Sequence, residues 1–228
     1  MFLENLVQQK IIFFQNLGIQ NYLDILKRMN NFTISRNLYT FDEIWFVEHY
    51  PIFTQGLSNK KDNILFFSKI PIVNSDRGGK ITYHGPGQQI LYVLIDLRRR
   101  KISVRELIDM LQKIVIETLN YFSISACTNK KMPGVYVNEK KICSLGLRIK
   151  KGSTLHGLAL NVNMNLTPFN YINPCGEPEM KMTQVQEFNK EVKMIDIRNI
   201  LIKKLTEYLQ VVILKKKYET KIIHYFTK

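Results

Sequence analysis

The chain has 228 residues, 45% hydrophobic and 11% aromatic, a composition that supports one sizeable packed domain and excludes a mainly disordered chain. With 33 Lys and Arg against 19 Asp and Glu, the net charge is +14, which favours anionic partners. No apolar run reaches the ~18 residues of a membrane helix, the N-terminus lacks the features of a secretory leader, and three cysteines make no disulfide framework; the reading is a soluble, cytoplasmic protein in a reducing compartment.

In chain order, residues 10–14 are strand-like, and Ile19, Tyr22, Leu23, Leu26 and Met29 share one helical face, which predicts a helix over 19–29. Short β-type stretches follow at 44–48, 52–55 and 70–73, and after a glycine-rich turn residues 89–97 read as a buried strand. Ser103 and Glu106 form a capping box ahead of Val104, Leu107, Ile108, Leu111, Val115 and Leu119, an amphipathic helix. Residues 135–137, 142–149 and 154–163, separated by polar turns, predict a three-stranded antiparallel meander. A Pro/Gly loop over 167–178 precedes a last helix marked by Ile197, Leu201, Leu205 and Tyr208. Strands and helices mix without regular βαβ alternation, so the fold class is α+β, a single domain with a mixed, largely antiparallel sheet flanked by helices.

Four segments carry more glycine, polar and cysteine character than a core requires. Arg77-Gly-Gly-Lys-Ile-Thr-Tyr-His-Gly-Pro-Gly-Gln88 combines glycines that permit close backbone approach with Arg77, Tyr83 and His84; it spells neither a P-loop nor G-x-G-x-x-G. In Lys141-Ile-Cys-Ser-Leu-Gly-Leu-Arg148, alternation puts Lys141, Cys143 and Leu145 on one strand face and Ile142 and Ser144 on the other. In His156-Gly-Leu-Ala-Leu-Asn-Val-Asn163, Asn161 and Asn163 are unusual inside an apolar strand, because buried amides need partners. Ile172-Asn-Pro-Cys-Gly-Glu-Pro178 sets a cysteine in a rigid, accessible loop, the place for a reactive thiol, whereas Cys127 and Cys143 stand in apolar β-type surroundings and read as packing residues. A thiol nucleophile needs a neighbour that favours the thiolate, and Lys141, His84 and His156 are all candidates for that place. His and Cys never pair at ligand spacing, so no metal site is expected.

Taken together these segments resemble the lipoyl(octanoyl) transferase family. The resemblance runs from Gln15-Asn-Leu-Gly-Ile through Asp42-Glu-Ile-Trp-Phe-Val-Glu-His-Tyr-Pro, the 76–88 segment, Pro133-Gly-Val-Tyr-Val, the 141–148 and 156–163 segments and Asn173-Pro-Cys-Gly176, in that order. It implies the catalytic fold shared with biotin and lipoate ligases over about 38–213, with a divergent tail at 215–228. It implies Cys175 as nucleophile and carrier of an acyl thioester, and Lys141 as the group that lowers its pKa. Substrate-contacting positions carry over to Arg77, Gly78, Gly79, Lys80, Ile81, Thr82, Tyr83 and His84, to Ser144, Leu145 and Gly146, and to Gly157, Leu158 and Ala159. The activity implied is octanoyl transfer from acyl carrier protein to the lysine of lipoyl domains, in 2-oxoacid dehydrogenase E2 subunits and the glycine cleavage H protein, by a monomer needing neither ATP nor metal. Three competing readings are a lipoate–protein ligase, which has no need of a nucleophilic cysteine, a nucleic-acid-binding module argued from charge alone, and a catalytically dead relative kept for binding, against which the intact Cys175 and Lys141 argue. The first is disfavoured by Cys175. The second is disfavoured because the basic residues are dispersed; the charge itself fits either acidic protein partners or AT-rich coding bias.

Overall fold

A computed structural model describes residues 10–59, 63–66, 68–129 and 132–216; the N-terminal residues read for a leader, and the tail from 217 onward, lie outside them. Strand β1 (Ile11–Gln20) and strand β2 (Asp42–His49) pair in parallel, joined by helix α1 (Tyr22–Ser35). The helix starts later than the 19–29 periodicity predicted. Ile19 is still in β1, opposite Glu48, and Asn21 caps the helix by accepting from the Leu23 amide. Tyr22, Ile25 and Met29 then form the buried face, while Leu23 is exposed.

Strands β3 (Ile52–Gln55), β4 (Ile72–Asn74) and β5 (Ile81–His84) make a small sheet of order β4-β3-β5. Strand β6 (Gln88–Leu94) is buried along its whole length but ends before Leu97. Asp96 accepts from the Arg98 and Arg99 amides and starts the short helix α2 (Leu97–Arg100), which the apolar run alone did not reveal. Helix α3 (Val104–Tyr121) has the capping box in full: the Glu106 amide donates to Ser103 Oγ, and the Ser103 amide to Glu106.

The meander is present as β8 (Val135–Val137), β9 (Lys140–Lys150) and β10 (Ser153–Asn161), with β7 (Cys127–Thr128) outside β8. The turn into β9 carries positive φ at Asn138 and Glu139. Two 3₁₀ turns, Thr167–Tyr171 and Pro174–Gly176, lie in the Pro/Gly loop, followed by helix α4 (Met194–Leu209) and strand β11 (Val212–Lys215). The large sheet has the order β11-β1-β2-β6-β10-β9-β8-β7, parallel at β11/β1 and β1/β2 and antiparallel elsewhere.

Alternation divides the core. Leu91 and Val93 of β6 and Leu158 and Leu160 of β10 face α3 and α4, with Leu107, Leu111, Leu201 and Leu205. Ile90, Tyr92 and Leu94 face α1 instead, with Ile25, Met29 and Trp45. A third cluster of Phe53, Ile81, Tyr83, Phe169 and Ile172 fastens the Pro/Gly loop to the small sheet. Asp42 is fully buried under Arg36, Arg99 and Arg100, an ion cluster that the apolar pattern of β2 conceals. Among the described residues no helix is long and apolar enough to cross a membrane.

Candidate active site

Lys141 is the largest departure from the strand alternation. Val135 pairs with Cys143 but Tyr136 pairs with Lys141, so Ile142 is an extra residue in β9, a bulge. Ile142 and Cys143 both enter the core against α3 and α4, and Lys141 is transferred to the side of Ser144, facing the cavity. Its shaft is 2% exposed and runs past Gly134, where a Cβ would come within 2.5 Å of Lys141 Cε; no larger residue leaves this path open. The ammonium stands 5.6 Å from the centre of the Tyr136 ring.

Cys175 sits at φ 57° in the Pro174–Gly176 turn, in the left-handed region that a non-glycine residue seldom occupies. The surrounding hydrogen bonds hold it there. The Asn173 amide donates to Asn63 O at 2.8 Å, Gly176 to Asn173 O at 2.8 Å and Glu177 to Pro174 O at 3.1 Å. The result is that Lys141 Nζ donates to Cys175 Sγ at 3.1 Å. Burial works to lower the Lys141 pKa, but its interactions with Cys175 and Tyr136 outweigh it and hold the ammonium above its usual range.

Both groups open on a cavity of about 440 Å³. The residues expected at the substrate, 77–82, 84, 144–146 and 157–159, all line it. Tyr83 is not among the lining residues. In β5 it points the other way, packing its ring on Phe53 and Phe169. Gly146 lets the 77–79 turn lie over β9, since a Cβ there would meet Gly78 O at 3.0 Å, while the Gly78 amide donates to Leu147 O at 3.0 Å. Arg77 is not a free charge. It donates to Thr54 O at 2.6 Å and Thr54 Oγ1 at 3.1 Å and to Gly78 O at 3.0 Å, so it shapes the wall.

Of the three candidates for the thiol's neighbour, only Lys141 is hydrogen-bonded to it. His84 is bonded to Thr54 and Gln88, and His156, at φ 64°, to Asp76 at 2.7 Å. Burial, with His49 and Arg77 nearby, lowers the His84 pKa to about 3, and burial lowers that of His49 to about 4; both rings are neutral at pH 7. Cys143 is enclosed, and burial pushes its thiol up to about 12. Cys127, read as a packing residue, is instead exposed on the edge strand β7. Sequence reasoning passed over Tyr22 and Tyr92 as cavity residues; the parity of Tyr92 with Ile90 in β6 is the signal that could have found it.

Residues 14–206 match the family model described as the lipoyl protein ligase A/B catalytic domain. The octanoyltransferase of Buchnera aphidicola subsp. Acyrthosiphon pisum is 66% identical over 208 residues, covering 91% of this chain and 99% of that protein. The octanoyltransferase of Yersinia pseudotuberculosis serotype O:1b is 49% identical over 203 residues, covering 89% and 87%. Among solved structures, lipoate-protein ligase A bound with ATP superposes with a TM-score of 0.73 at 17% identity, over 91% of this chain and 87% of that one. Biotin protein ligase from Aquifex aeolicus gives 0.52 at 15%, over 88% and 69%; both are likenesses of fold. Fold and family model together define a catalytic domain of the lipoyl protein ligase A/B class. Within that class, the chain belongs to the octanoyltransferase family.

Proposed function

We propose that the chain transfers an octanoyl group from the thioester of acyl carrier protein to a lysine of a lipoyl domain, in two half-reactions on Cys175. The observation that carries this reading is the buried ammonium 3.1 Å from a loop thiol at an apolar-walled cavity. The Cys175 sulfur attacks the thioester carbonyl, and a new C–S bond forms as the carbon–sulfur bond to the carrier breaks. The carrier leaves as a thiolate and takes the proton of the Lys141 ammonium. Lys141, now neutral, accepts a proton from the acceptor amine as it attacks the acyl-enzyme, and the thiolate–ammonium pair is restored with an amide as product. Lys141 thus gives up one proton in the first step and takes another in the second. Leu145, Leu158 and Ile81 supply apolar wall for the chain. The acceptors are the lipoyl domains of 2-oxoacid dehydrogenases and the glycine cleavage H protein in the cytoplasm, whose acidic surfaces suit a net charge of +14. Intact-mass spectrometry after mixing with octanoyl-carrier protein tests the first half-reaction. One octanoyl mass on the Cys175 peptide is expected, and an unmodified enzyme under turnover conditions would refute it.

A further inference from the structure

Strand β10 pairs with β9 only as far as Leu160 opposite Cys143, and stops short of Lys141. Residues 181–183, the continuation of the Cys175 loop, take its place. The Lys141 amide donates to Lys181 O at 2.8 Å, and the Thr183 amide donates to Lys141 O at 3.0 Å. A single short segment therefore holds the lysine's backbone on one side and leads to the nucleophile on the other. At the handover stands Asn161, the last residue of β10, whose Nδ2 donates to Thr183 O at 2.9 Å.

Asn161 is itself oriented from behind. Gln88 Nε2 donates to Asn161 Oδ1 at 2.9 Å and to Tyr83 O at 3.2 Å. Gln88 Oε1 is left as an acceptor, so the His84 nitrogen 2.7 Å away, Nδ1, carries the proton. His84 Nε2 then accepts from the Thr54 hydroxyl at 3.2 Å, and Thr54 Oγ1 accepts from Arg77 Nε at 3.1 Å. Each donor meets an acceptor in one direction, from the cavity wall at Arg77 to the carbonyl beside Lys141. Thr54, His84, Gln88, Asn161 and Thr183 are all buried, so the order is not contested by solvent.

We propose that Asn161 is a positioning residue: its amide fixes segment 181–183 against the end of β10 and thereby sets the Lys141–Cys175 spacing. The inference rests on the reading of Cys175 as nucleophile. An amide is required because one side chain must accept from Gln88 and donate to Thr183 O. An aspartate of the same shape puts an acceptor against that carbonyl.

The test is Asn161→Asp, with Met29→Ala, on the buried face of α1 and not itself a lining residue of the cavity, as a control for lost stability. Per folded molecule, Asn161→Asp is expected to slow iodoacetamide alkylation of Cys175 at pH 7 at least tenfold. It should lower kcat by a similar factor and leave KM for octanoyl-carrier protein within twofold. Protonation of the new carboxyl restores a donor, so the deficit against the unaltered protein should shrink as pH falls from 8 to 5; Met29→Ala should show neither effect. Unaltered rates in Asn161→Asp, or a deficit equal to that of Met29→Ala, would overturn the proposal. Should Asn161→Asp fail to fold, Gln88→Ala, which frees the Asn161 amide to rotate, is judged on the same two readouts: a loss above threefold supports the proposal and unaltered rates overturn it. If the unaltered protein takes up no octanoyl group, the acyl-enzyme reading fails on its own, and the alkylation rates still decide the role of Asn161.

Discussion

Lys141 Nζ and Cys175 Sγ, 34 positions apart in the chain, meet at 3.1 Å because a bulge turns the lysine to the cavity and a left-handed backbone turns the cysteine toward it. Two substitutions separate what the lysine's charge does from what its proton does. Lys141→Ala removes both and should slow alkylation of Cys175 at pH 7 at least tenfold as well as abolishing transfer. Lys141→Arg keeps the charge but cannot give up its proton near neutrality. It should retain much of the alkylation rate and lose amide formation. An alkylation rate in Lys141→Ala equal to that of the unaltered protein would remove the lysine from activation of the thiol.

The path of the lysine gives a second prediction. Gly134 has φ +149° and its missing Cβ would fall 2.5 Å from Lys141 Cε. Gly134→Ala should therefore push the ammonium off the sulfur, costing tenfold or more in alkylation rate and kcat while leaving KM for the carrier little changed. A full-rate Gly134→Ala variant would show that the Lys141 shaft can take another route.

The three thiols should separate by reagent. Iodoacetamide reaches Cys127 by exposure and Cys175 by its charged neighbour, whereas Cys143, pushed up to about 12 by burial, should stay unmodified in the native state. The octanoyl group should appear on Cys175 alone, because Cys175 lines the cavity that holds the chain and Cys127 and Cys143 are not among its lining residues. Peptide mapping decides this, and octanoyl on Cys127 or Cys143 would contradict the assignment.

Much of this was legible before any coordinates. The capping box at Ser103, the meander and the Pro-Cys-Gly loop are local signals, read from spacing and turn residues. What stayed hidden is what depends on long-range register. The period-two rule put Lys141 on the Cys143 face, and one extra residue, Ile142, reversed it. Exposure of Cys127 depends on β7 being the outermost strand, which its own apolar neighbours do not announce. Asn161 stood out as an amide in an apolar strand and His84 among the glycines of the 77–88 segment, but their partners, Thr183 and Gln88, follow only from the fold.

Chain length should be read through the apolar wall formed by Leu145, Leu147 and Leu158. Each methylene buried is worth ~0.8 kcal/mol, so replacing octanoyl by hexanoyl on the carrier should cost roughly 1.6 kcal/mol, on the order of fifteenfold, in kcat/KM. Equal kcat/KM for butanoyl and octanoyl carriers would show that the chain does not lie along this wall.

The buried histidines make stability depend on pH in a direction that can be worked out. His49 is bonded through Nδ1 to Gln20 O at 3.0 Å and through Nε2 to the Tyr92 hydroxyl at 2.7 Å, and His84 is bonded to Gln88 and Thr54, all without a carboxylate to balance a charge. Burial lowers their folded-state pKa values to about 4 and about 3, whereas in the unfolded chain both return to ~6.5. Between those limits the unfolded chain binds protons that the native protein refuses. Stability is therefore complete above pH ~6.5 and declines as pH falls toward the folded-state values. At pH 5, about 1.5 units below the unfolded value, each ring forfeits about 2 kcal/mol, or about 4 kcal/mol for the two. Denaturant midpoints measured from pH 7.5 to 5 should fall accordingly, and His49→Gln, which keeps a donor and an acceptor without a titrating ring, should remove about half of that fall. A midpoint independent of pH across this window would mean that both rings take up protons in the native protein as readily as in the unfolded chain.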